Sequence, residues 1–130
     1  MISVSKKVEY GVEIIAYLAK NTGKTMSLSE AARDLQLPYR FLGQVAAKLG
    51  KGKIIKGREG KNGGYVLTGN WKKKNMYDLL EAFGENKGLV GCLGESGDCI
   101  RAGGCHLRGV WQRVETGIYN ELKKIKLDEI

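Results

Sequence analysis

The stretch MSLSEAARDLQLPYRFLGQVAAKLGKGK, residues 26–53, predicts two short helices joined by a turn. Ser27 stands where an N-cap is expected, with a glutamate three residues later in a capping-box pattern. Pro38 ends the first helical pattern and suits the first turn of the next helix, because its missing N–H is not needed there. Gly50 and Gly52 are typical stop signals for that second helix. A connection of only about three residues predicts a helix-turn-helix.

The next segment, IIKGREGKNGGYVLTG at residues 54–69, predicts a β-hairpin. Two β-type runs flank a glycine-rich turn that contains an Asn-Gly pair. Directly after a helix-turn-helix, a hairpin at about residues 54–68 is expected to be a wing, and a plain surface hairpin is the alternative. Arg58 and Lys61 near its tip are placed to reach a minor groove or the flanking phosphates.

The positive charge of the chain is concentrated around these elements. Residues 40–75 contain ten basic side chains against Glu59 alone, whereas the whole chain carries a formal net charge of +8. A merely solvated charged face usually mixes both signs. The concentration therefore indicates a polyanionic partner, such as DNA, RNA or a phospholipid surface.

The flanking segments predict three more helices. Residues 5–20 show the 3.6-residue apolar period of an amphipathic helix, and Asn75 is expected to cap a short helix after the hairpin. From His106 to about Lys126, apolar side chains recur at steps of three and four. A helix of about 20 residues spans roughly 30 Å. Such a long stripe is more easily buried against a second copy of the chain than against its own domain. One part of the helix can also pack on its own domain while another part packs on the second copy.

Together these elements predict a mainly α fold with a small β-hairpin. Residues 1–86 are expected to form a winged helix-turn-helix domain, residues 87–105 a cysteine-bearing loop, and residues 106–130 a long C-terminal dimerisation helix. No apolar run approaches the roughly 20 residues of a membrane span, and the first residues lack a secretory signal pattern. We therefore expect a cytoplasmic protein without membrane attachment. No nucleophile–base pair or carboxylate dyad suggests an enzyme.

All three cysteines of the chain, Cys92, Cys99 and Cys105, lie within GCLGESGDCIRAGGCHLRG at residues 91–109. Its many glycines exclude a regular helix or strand, so something other than side-chain packing must order it. Disulfides are rare in a reducing compartment, and an odd number of cysteines cannot pair completely within one chain. Three thiolates converging on one metal centre would order the segment.

The kind of centre and its fourth ligand remain open at this point. Structural zinc usually takes closely spaced cysteine pairs, whereas six and then five residues separate these cysteines. An iron–sulfur cluster accepts irregular spacing and one ligand that is not sulfur. The rivals are a metal-free thiol switch near Arg101 or Arg108, and cysteines without a function. Candidate fourth ligands are His106, Asp98, Glu95 and Glu9.

The winged helix-turn-helix, a wing of the form R-x-G-x-x-G-G-Y at residues 58–65, and three cysteines followed by HLRGVW resemble the IscR/NsrR-type family of small bacterial transcription regulators. The resemblance covers nearly the whole chain. It implies a homodimer that binds a palindromic promoter site on double-stranded DNA. It also implies an iron–sulfur cluster, 2Fe-2S in preference to 4Fe-4S, that senses redox state, nitric oxide or cluster supply. A metal-free thiol sensor and a small electron-carrier or cluster-transfer protein are the alternatives.

In that family the three cysteines are cluster ligands. The cluster-biogenesis regulators add a histidine three residues after the last cysteine, a place that Arg108 takes here. Nitric-oxide-type members instead use a carboxylate from the first helix of the partner subunit, which matches Glu9, and a related type uses the residue one turn on, here Glu13. The resemblance therefore favours Glu9 as the fourth ligand, with His106 second.

The family reads bases with the start of the second helix of the helix-turn-helix. Gln44 matches a base-contacting position and is expected to pair bidentately with adenine. Gly43 stands where some members have a discriminating glutamate, so the operator sequence does not carry over. The predicted DNA-binding residues are Ser27, Pro38, Tyr39, Arg40, Gln44, Lys48, Arg58, Lys61, Gly63, Gly64 and Tyr65.

Overall fold

The computed structural model describes residues 3–61, 63–86 and 107–130. Within these residues the fold is mainly α with one small antiparallel β-hairpin, as predicted. The cysteine-bearing loop predicted at residues 87–105 lies outside the described residues. The elements are α1 (Lys6–Lys20), α2 (Leu28–Asp34), α3 (Tyr39–Lys51), β1 (Ile55–Arg58), β2 (Gly64–Leu67), α4 (Met76–Ala82) and α5 (Leu107–Lys124).

The helices α2 and α3 form the predicted helix-turn-helix. The hydroxyl of Ser27 accepts a backbone N–H one turn into α2 at 3.1 Å, which confirms the predicted cap. After α2, Gln36 adopts a left-handed backbone with φ 54°. The N–H of Leu37 then donates to the carbonyl of Ala32 at 3.1 Å. This is a Schellman ending made without glycine, and it turns the chain into α3.

Pro38 lies just before α3 rather than in its first turn, where the sequence pattern placed it. Its φ of −65° and ψ of 113° are those of an extended residue. Its carbonyl accepts the N–H of Phe41 at 3.1 Å and so starts the hydrogen-bond ladder of the helix. The proline ring disfavours helical backbone at Leu37, and this keeps α2 and α3 separate.

The end of α3 matches the prediction in position but not in the residue that makes the turn. Gly52 keeps an ordinary φ of −78°, and Lys53 is the left-handed residue with φ 58°. The N–H of Ile54 donates to the carbonyl of Leu49 at 3.0 Å. Gly52 is needed for another reason, since a Cβ built there would lie 2.6 Å from the Cβ of Ala82. The glycine thus allows α4 to approach the end of α3 closely.

The hairpin is attached by its backbone to the helix-turn-helix. The strands β1 and β2 pair with Ile55 opposite Leu67, within the predicted wing. The N–H of Tyr65 donates to the carbonyl of Met26 at 2.8 Å, and the N–H of Met26 donates to the carbonyl of Tyr65 at 3.0 Å. Because Met26 precedes the cap of α2, these two bonds fix the wing relative to α2.

One hydrophobic core lies among α1, α3, β1 and α4. None of the described side chains of α5 is fully buried in it. No helix within the described ranges is both long and apolar enough to span a bilayer. The core side chains are Val8, Ile14, Ile15, Leu18, Met26, Ala31, Leu37, Leu42, Val45, Ala46, Leu49, Ile54, Ile55, Leu79, Phe83 and Leu127.

The helix α5 ends at Lys124, two residues before the predicted end, because the chain turns back onto the domain. The N–H of Met76 donates to the carbonyl of Ile125 at 2.9 Å, and the N–H of Leu127 donates to the carbonyl of Lys74 at 2.9 Å. The side chain of Leu127 is fully buried in the core. The segment 125–127 therefore fastens the end of α5 to the start of α4.

The two halves of α5 have different surroundings. Towards its C-terminal end, the ring of Tyr119 meets that of Tyr77 edge-on, with centroids 5.2 Å apart. Burial, together with a hydrogen bond to Glu115, raises the pKa of Tyr119 to about 12. Towards its N-terminal end, four apolar side chains are between 40% and 52% exposed, namely Leu107, Val110, Trp111 and Val114. Its own domain thus covers only part of the predicted stripe.

Candidate nucleic-acid interface

The outward face of α3 carries the side chains that were predicted to read DNA. Arg40, Gln44 and Lys48 are four residues apart, so they form one ridge along the helix, and all three are exposed. The opposite face packs into the core through Leu42, Val45, Ala46 and Leu49. A helix anchored on one face and polar on the other can enter a major groove, which is about 12 Å wide.

At the start of α3, Arg40 is flanked in sequence by two aromatic residues, and its side chain contacts one of them. The guanidinium of Arg40 lies over the ring of Phe41, 4.7 Å from its centroid. The side chain of Tyr39 is 60% exposed. Stacking restricts the plane of a guanidinium, which favours bidentate contacts with a base edge or a phosphate. Tyr39 and Arg40 are both exposed at the start of α3, and a DNA contact of either residue stays a prediction.

Gln44 is held by a residue that the sequence reasoning missed. The ammonium group of Lys7 in α1 donates to Oε1 of Gln44 at 2.5 Å. The two residues are 37 positions apart, and their contact depends on how α1 crosses α3. No local sequence signal could have found it, since Lys7 reads as an ordinary solvent-facing lysine of an amphipathic helix.

Arg58 and Lys61 on the wing are both exposed. Among the residues that the structure describes, neither takes part in an ion pair. Their charge is therefore available to a polyanion, and a contact of either residue with DNA stays a prediction.

The wing glycines have a geometric explanation. A Cβ on Gly64, whose φ is 149°, would lie 2.7 Å from the carbonyl oxygen of Met26. A Cβ on Gly63 would lie 2.7 Å from the carbonyl oxygen of Arg58. These contacts account for the two glycines of the G-G-Y signature, whereas the backbone pairing of Tyr65 with Met26 does not select its side chain. A direct contact of these three residues with DNA stays a prediction.

Ser27 and Pro38 lie at the starts of the two helices of the motif. Ser27 is half-buried, and its hydroxyl is engaged as the cap of α2. Pro38 is exposed beside the α3 ridge. The structure thus gives Ser27 a structural role, and a phosphate contact of either residue stays a prediction.

A basic cleft extends the positive surface behind the wing. Its volume is 270 Å³, and its floor includes Leu18 and Trp71. The predicted list of DNA-binding residues contains Arg58 but not the three lysines beside it. The cations that line the cleft are Lys24, Lys56, Arg58 and Lys72.

Glu9, the favoured fourth cluster ligand, lies exposed in the first turn of α1. Its carboxylate is 2.9 Å from the ammonium of Lys6, and 49% of its side chain is exposed. The pair raises the pKa of Lys6. Glu13, one turn further, is also exposed. Both carboxylates are therefore accessible to a group that approaches from outside the domain.

The other predicted ligands lie outside the described residues, namely Cys92, Cys99, Cys105 and His106. Within residues 3–61, 63–86 and 107–130, no three histidine, cysteine or acidic side chains are grouped so that they could hold a metal ion.

The first turn of α1 lies beside the end of α4. The carboxylate of Glu85 accepts the N–H of Ser5 at 3.2 Å and its hydroxyl at 2.5 Å. The N–H of Glu9 donates to the carbonyl of Ser5 at 3.1 Å. Glu9 thus lies one helical turn from Ser5, the residue that Glu85 holds.

A polar ridge on the second helix of a helix-turn-helix, followed by a basic β-hairpin fixed to that motif, defines a winged helix-turn-helix DNA-binding protein. Residues 4–130 match the Rrf2 family, described as iron-dependent transcriptional regulators, and the chain belongs to this family.

Relatives and solved structures agree with this assignment. The HTH-type transcriptional regulator NsrR of Shouchella clausii is 28% identical over 111 residues, which cover 84% of this chain and 74% of the relative. CymR of B. subtilis, described as its global cysteine regulator, has a TM-score of 0.74 at 26% identity, over 98% of this chain and 95% of that one. T. potens IscR has a TM-score of 0.71 at 28% identity, over 98% of this chain and 84% of that one. The resemblance to IscR/NsrR-type regulators is confirmed.

Proposed function

We propose that the chain is a homodimeric transcription regulator that binds promoter DNA through α3 and the wing and carries an iron–sulfur cluster. The observation that carries the DNA-binding part is the exposed ridge of α3 beside a wing whose cations have no acidic partner among the described residues. The cluster, 2Fe-2S in preference to 4Fe-4S, senses redox state, nitric oxide or iron–sulfur supply. It lies in the cysteine-bearing loop at residues 87–105.

On DNA, α3 enters the major groove and the wing lies along the adjacent backbone. Arg40 and Gln44 face base edges, because they lie near the start of the helix, as in other helix-turn-helix proteins. Lys48, Arg58 and Lys61 neutralise phosphates. The cleft behind the wing extends this neutralisation with Lys24, Lys56 and Lys72, which are not among the predicted DNA-binding residues.

Salt dependence tests this interface. The affinity of the full chain for a duplex that carries its selected site should fall steeply between about 50 and about 200 mM salt. Arg58→Ala should reduce the slope of log affinity against log salt by about one phosphate contact. Lys124→Ala, on α5 and paired with Glu121, is the matched control and should leave the slope unchanged. An unchanged slope for Arg58→Ala would remove the wing from the interface.

The donor set fits an iron–sulfur centre. Three thiolates, from Cys92, Cys99 and Cys105, leave one coordination position for another ligand, and such centres accept one that is not sulfur. The carboxylate of Glu9 is exposed and is held only by an exposed ion pair with Lys6 among its described contacts. When bound, the cluster supplies a redox-active iron site that reacts with oxidants or nitric oxide.

Anaerobic purification tests the cluster. The protein should contain iron and acid-labile sulfide and absorb visible light, and Cys92→Ala should lose all three. Glu9→Ala should change the visible and Mössbauer spectra. Lys6→Met removes the ion pair but keeps the carboxylate, so its spectra should match those of the wild type. If Glu9→Ala keeps the wild-type spectra, the same measurement on Glu13→Ala and His106→Ala identifies the ligand.

The subunit that supplies Glu9 can be determined with mixed dimers. We propose that it comes from the partner subunit, as the resemblance implies. A dimer of one Glu9→Ala subunit and one Cys92→Ala subunit then retains a single site with every ligand present, and it should bind half the wild-type amount of cluster. If Glu9 acts within its own chain, both sites lack a ligand and the mixed dimer shows no wild-type spectrum.

A metal-free thiol sensor is the second candidate, because the three cysteines lie close together in sequence near Arg101 and Arg108, and a nearby cation lowers the pKa of a thiol. Anaerobic protein that lacks iron and sulfide, yet changes its DNA affinity after mild thiol oxidation, would support it over the cluster. An electron carrier or cluster-transfer protein would instead show no salt-dependent binding to duplex DNA.

A further inference from the structure

The charged end of Lys7 lies on the DNA-facing side of α3. Its ammonium donates to Oε1 of Gln44 at 2.5 Å. An ammonium has donors only, so the atom of the amide that faces it is the oxygen. A charged donor also makes a stronger hydrogen bond than a neutral one. The contact therefore fixes which way round the Gln44 amide is held.

This orientation changes the base that Gln44 can read. Bidentate pairing with adenine requires the amide oxygen to accept from the N6 amino group while the amide nitrogen donates to N7. With its oxygen directed at Lys7, Gln44 presents its NH₂ group outward, and the ammonium offers further donors beside it. Guanine has two acceptors, O6 and N7, on the same major-groove edge.

We propose that Lys7 and Gln44 form one base-reading unit, in which Lys7 orients the amide, and that this unit prefers guanine to adenine. The inference rests on the proposed entry of α3 into the major groove. It replaces the adenine pairing that the sequence alone suggested. Lys7 is thus a specificity-determining residue, whereas its neighbour Lys6 pairs with Glu9 at 2.9 Å.

Selection of binding sites from a random duplex pool, by the full chain purified anaerobically, tests the unit. The wild type should select guanine over adenine at one position of each half-site by roughly 5- to 150-fold, the range of a good bidentate contact. Gln44→Ala should lose the preference at that position only. Lys7→Met keeps the aliphatic stem and frees the amide, so adenine or no preference should replace guanine there. Lys6→Met, the matched loss of one charge, should still select guanine.

Two results would overturn the inference: a wild type that prefers adenine at the Gln44-dependent position, or Lys7→Met protein that selects the same base as the wild type. Selection of no sequence, with no salt-dependent binding to duplex DNA, would reject the proposed function and this inference with it. Circular dichroism and retained low-salt binding to random duplex show that the Lys7→Met variant is folded.

Discussion

Gly52 illustrates how one missing side chain sets the distance between two helices. Its backbone is one that any residue adopts, and the space for its Cβ is occupied by the methyl group of Ala82. The sequence pattern identified this glycine as a helix stop, which is correct for position. It could not show the contact with Ala82, because that contact joins segments about 30 residues apart whose packing is set by the whole core.

Gly52→Ala should therefore destabilise the fold by overpacking, at a cost of about 1–3 kcal/mol. Ala82→Gly on that background removes the opposing methyl group and should restore part of the loss. Gly50→Ala is the matched control, because a Cβ there meets nothing within 4 Å. It should be neutral or stabilising by up to about 1 kcal/mol. Urea unfolding of the wild type and these three variants checks this, and equal effects of Gly52→Ala and Gly50→Ala would contradict the packing argument.

At the scale of elements, the sequence predicted those helix ends that are set by hydrogen bonds between residues close together in the chain. The starts of α2 and α4 follow from Ser27 and Asn75, whose side chains accept the expected backbone N–H groups. The period of residues 5–20 predicted α1, because it sets which face can be buried. The end of α5 was placed too late, because the return of Leu127 to the core depends on a pairing with Lys74 that lies far away in sequence.

Asn75→Ala should cost about 0.5–2 kcal/mol of folding free energy, since it removes the acceptor of a reciprocal cap. In the wild-type protein, Oδ1 of Asn75 accepts the N–H of Asp78 at 2.9 Å, and the carboxylate of Asp78 accepts the N–H of Asn75 at 3.0 Å. Asn70→Ala is a suitable control, because Asn70 makes no side-chain capping bond. Thermal unfolding in which both variants lose the same stability would argue against the cap.

Tyr119 gives α5 a pH dependence in the alkaline range. Its folded pKa of about 12 lies above the value of about 10 in an unfolded chain, because burial and the bond to Glu115 favour the protonated phenol. Its contribution to stability is complete below pH of about 10 and is lost as the pH rises through about 12. Tyr119→Phe should therefore lose less stability over this range than the wild type. Urea midpoints measured across it, with Tyr39→Phe as control, test this, and parallel curves would contradict it.

At the scale of the whole molecule, the first half of α5 is the main apolar surface left exposed among the described residues. Its apolar side chains, 40–52% exposed, continue the stripe whose second half packs on α4. The sequence predicted that a long stripe would be buried partly by its own domain and partly by a second copy, and the first part of this prediction agrees with the structure. The three cysteines are easily recognised as a group in the sequence. The arrangement of their sulfur atoms could not be predicted, because the spacing of the cysteines does not define the path of the loop between them.

Val110→Asp should dissociate the proposed dimer, because it introduces a charge into the centre of the exposed stripe. Sedimentation velocity at micromolar concentration should show a monomer, with weaker binding to a two-half-site duplex. Gln112→Asp adds the same charge off the stripe and should leave the dimer intact. A dimeric Val110→Asp protein would place the subunit interface elsewhere.

Because residues 125–127 are hydrogen-bonded to the start of α4, α5 and the domain are expected to move together as one rigid unit. The C-terminal end of α5 is hydrogen-bonded to the start of α4, and its 18 residues extend about 27 Å to Leu107. Leu107 follows Cys105 by two residues in the sequence. A lateral shift of about 3 Å at Leu107 would turn the attached domain by roughly 6° if α5 stays straight. A rearrangement at the N-terminal end of α5 would thus change the angle at which α3 meets a DNA groove in the proposed complex.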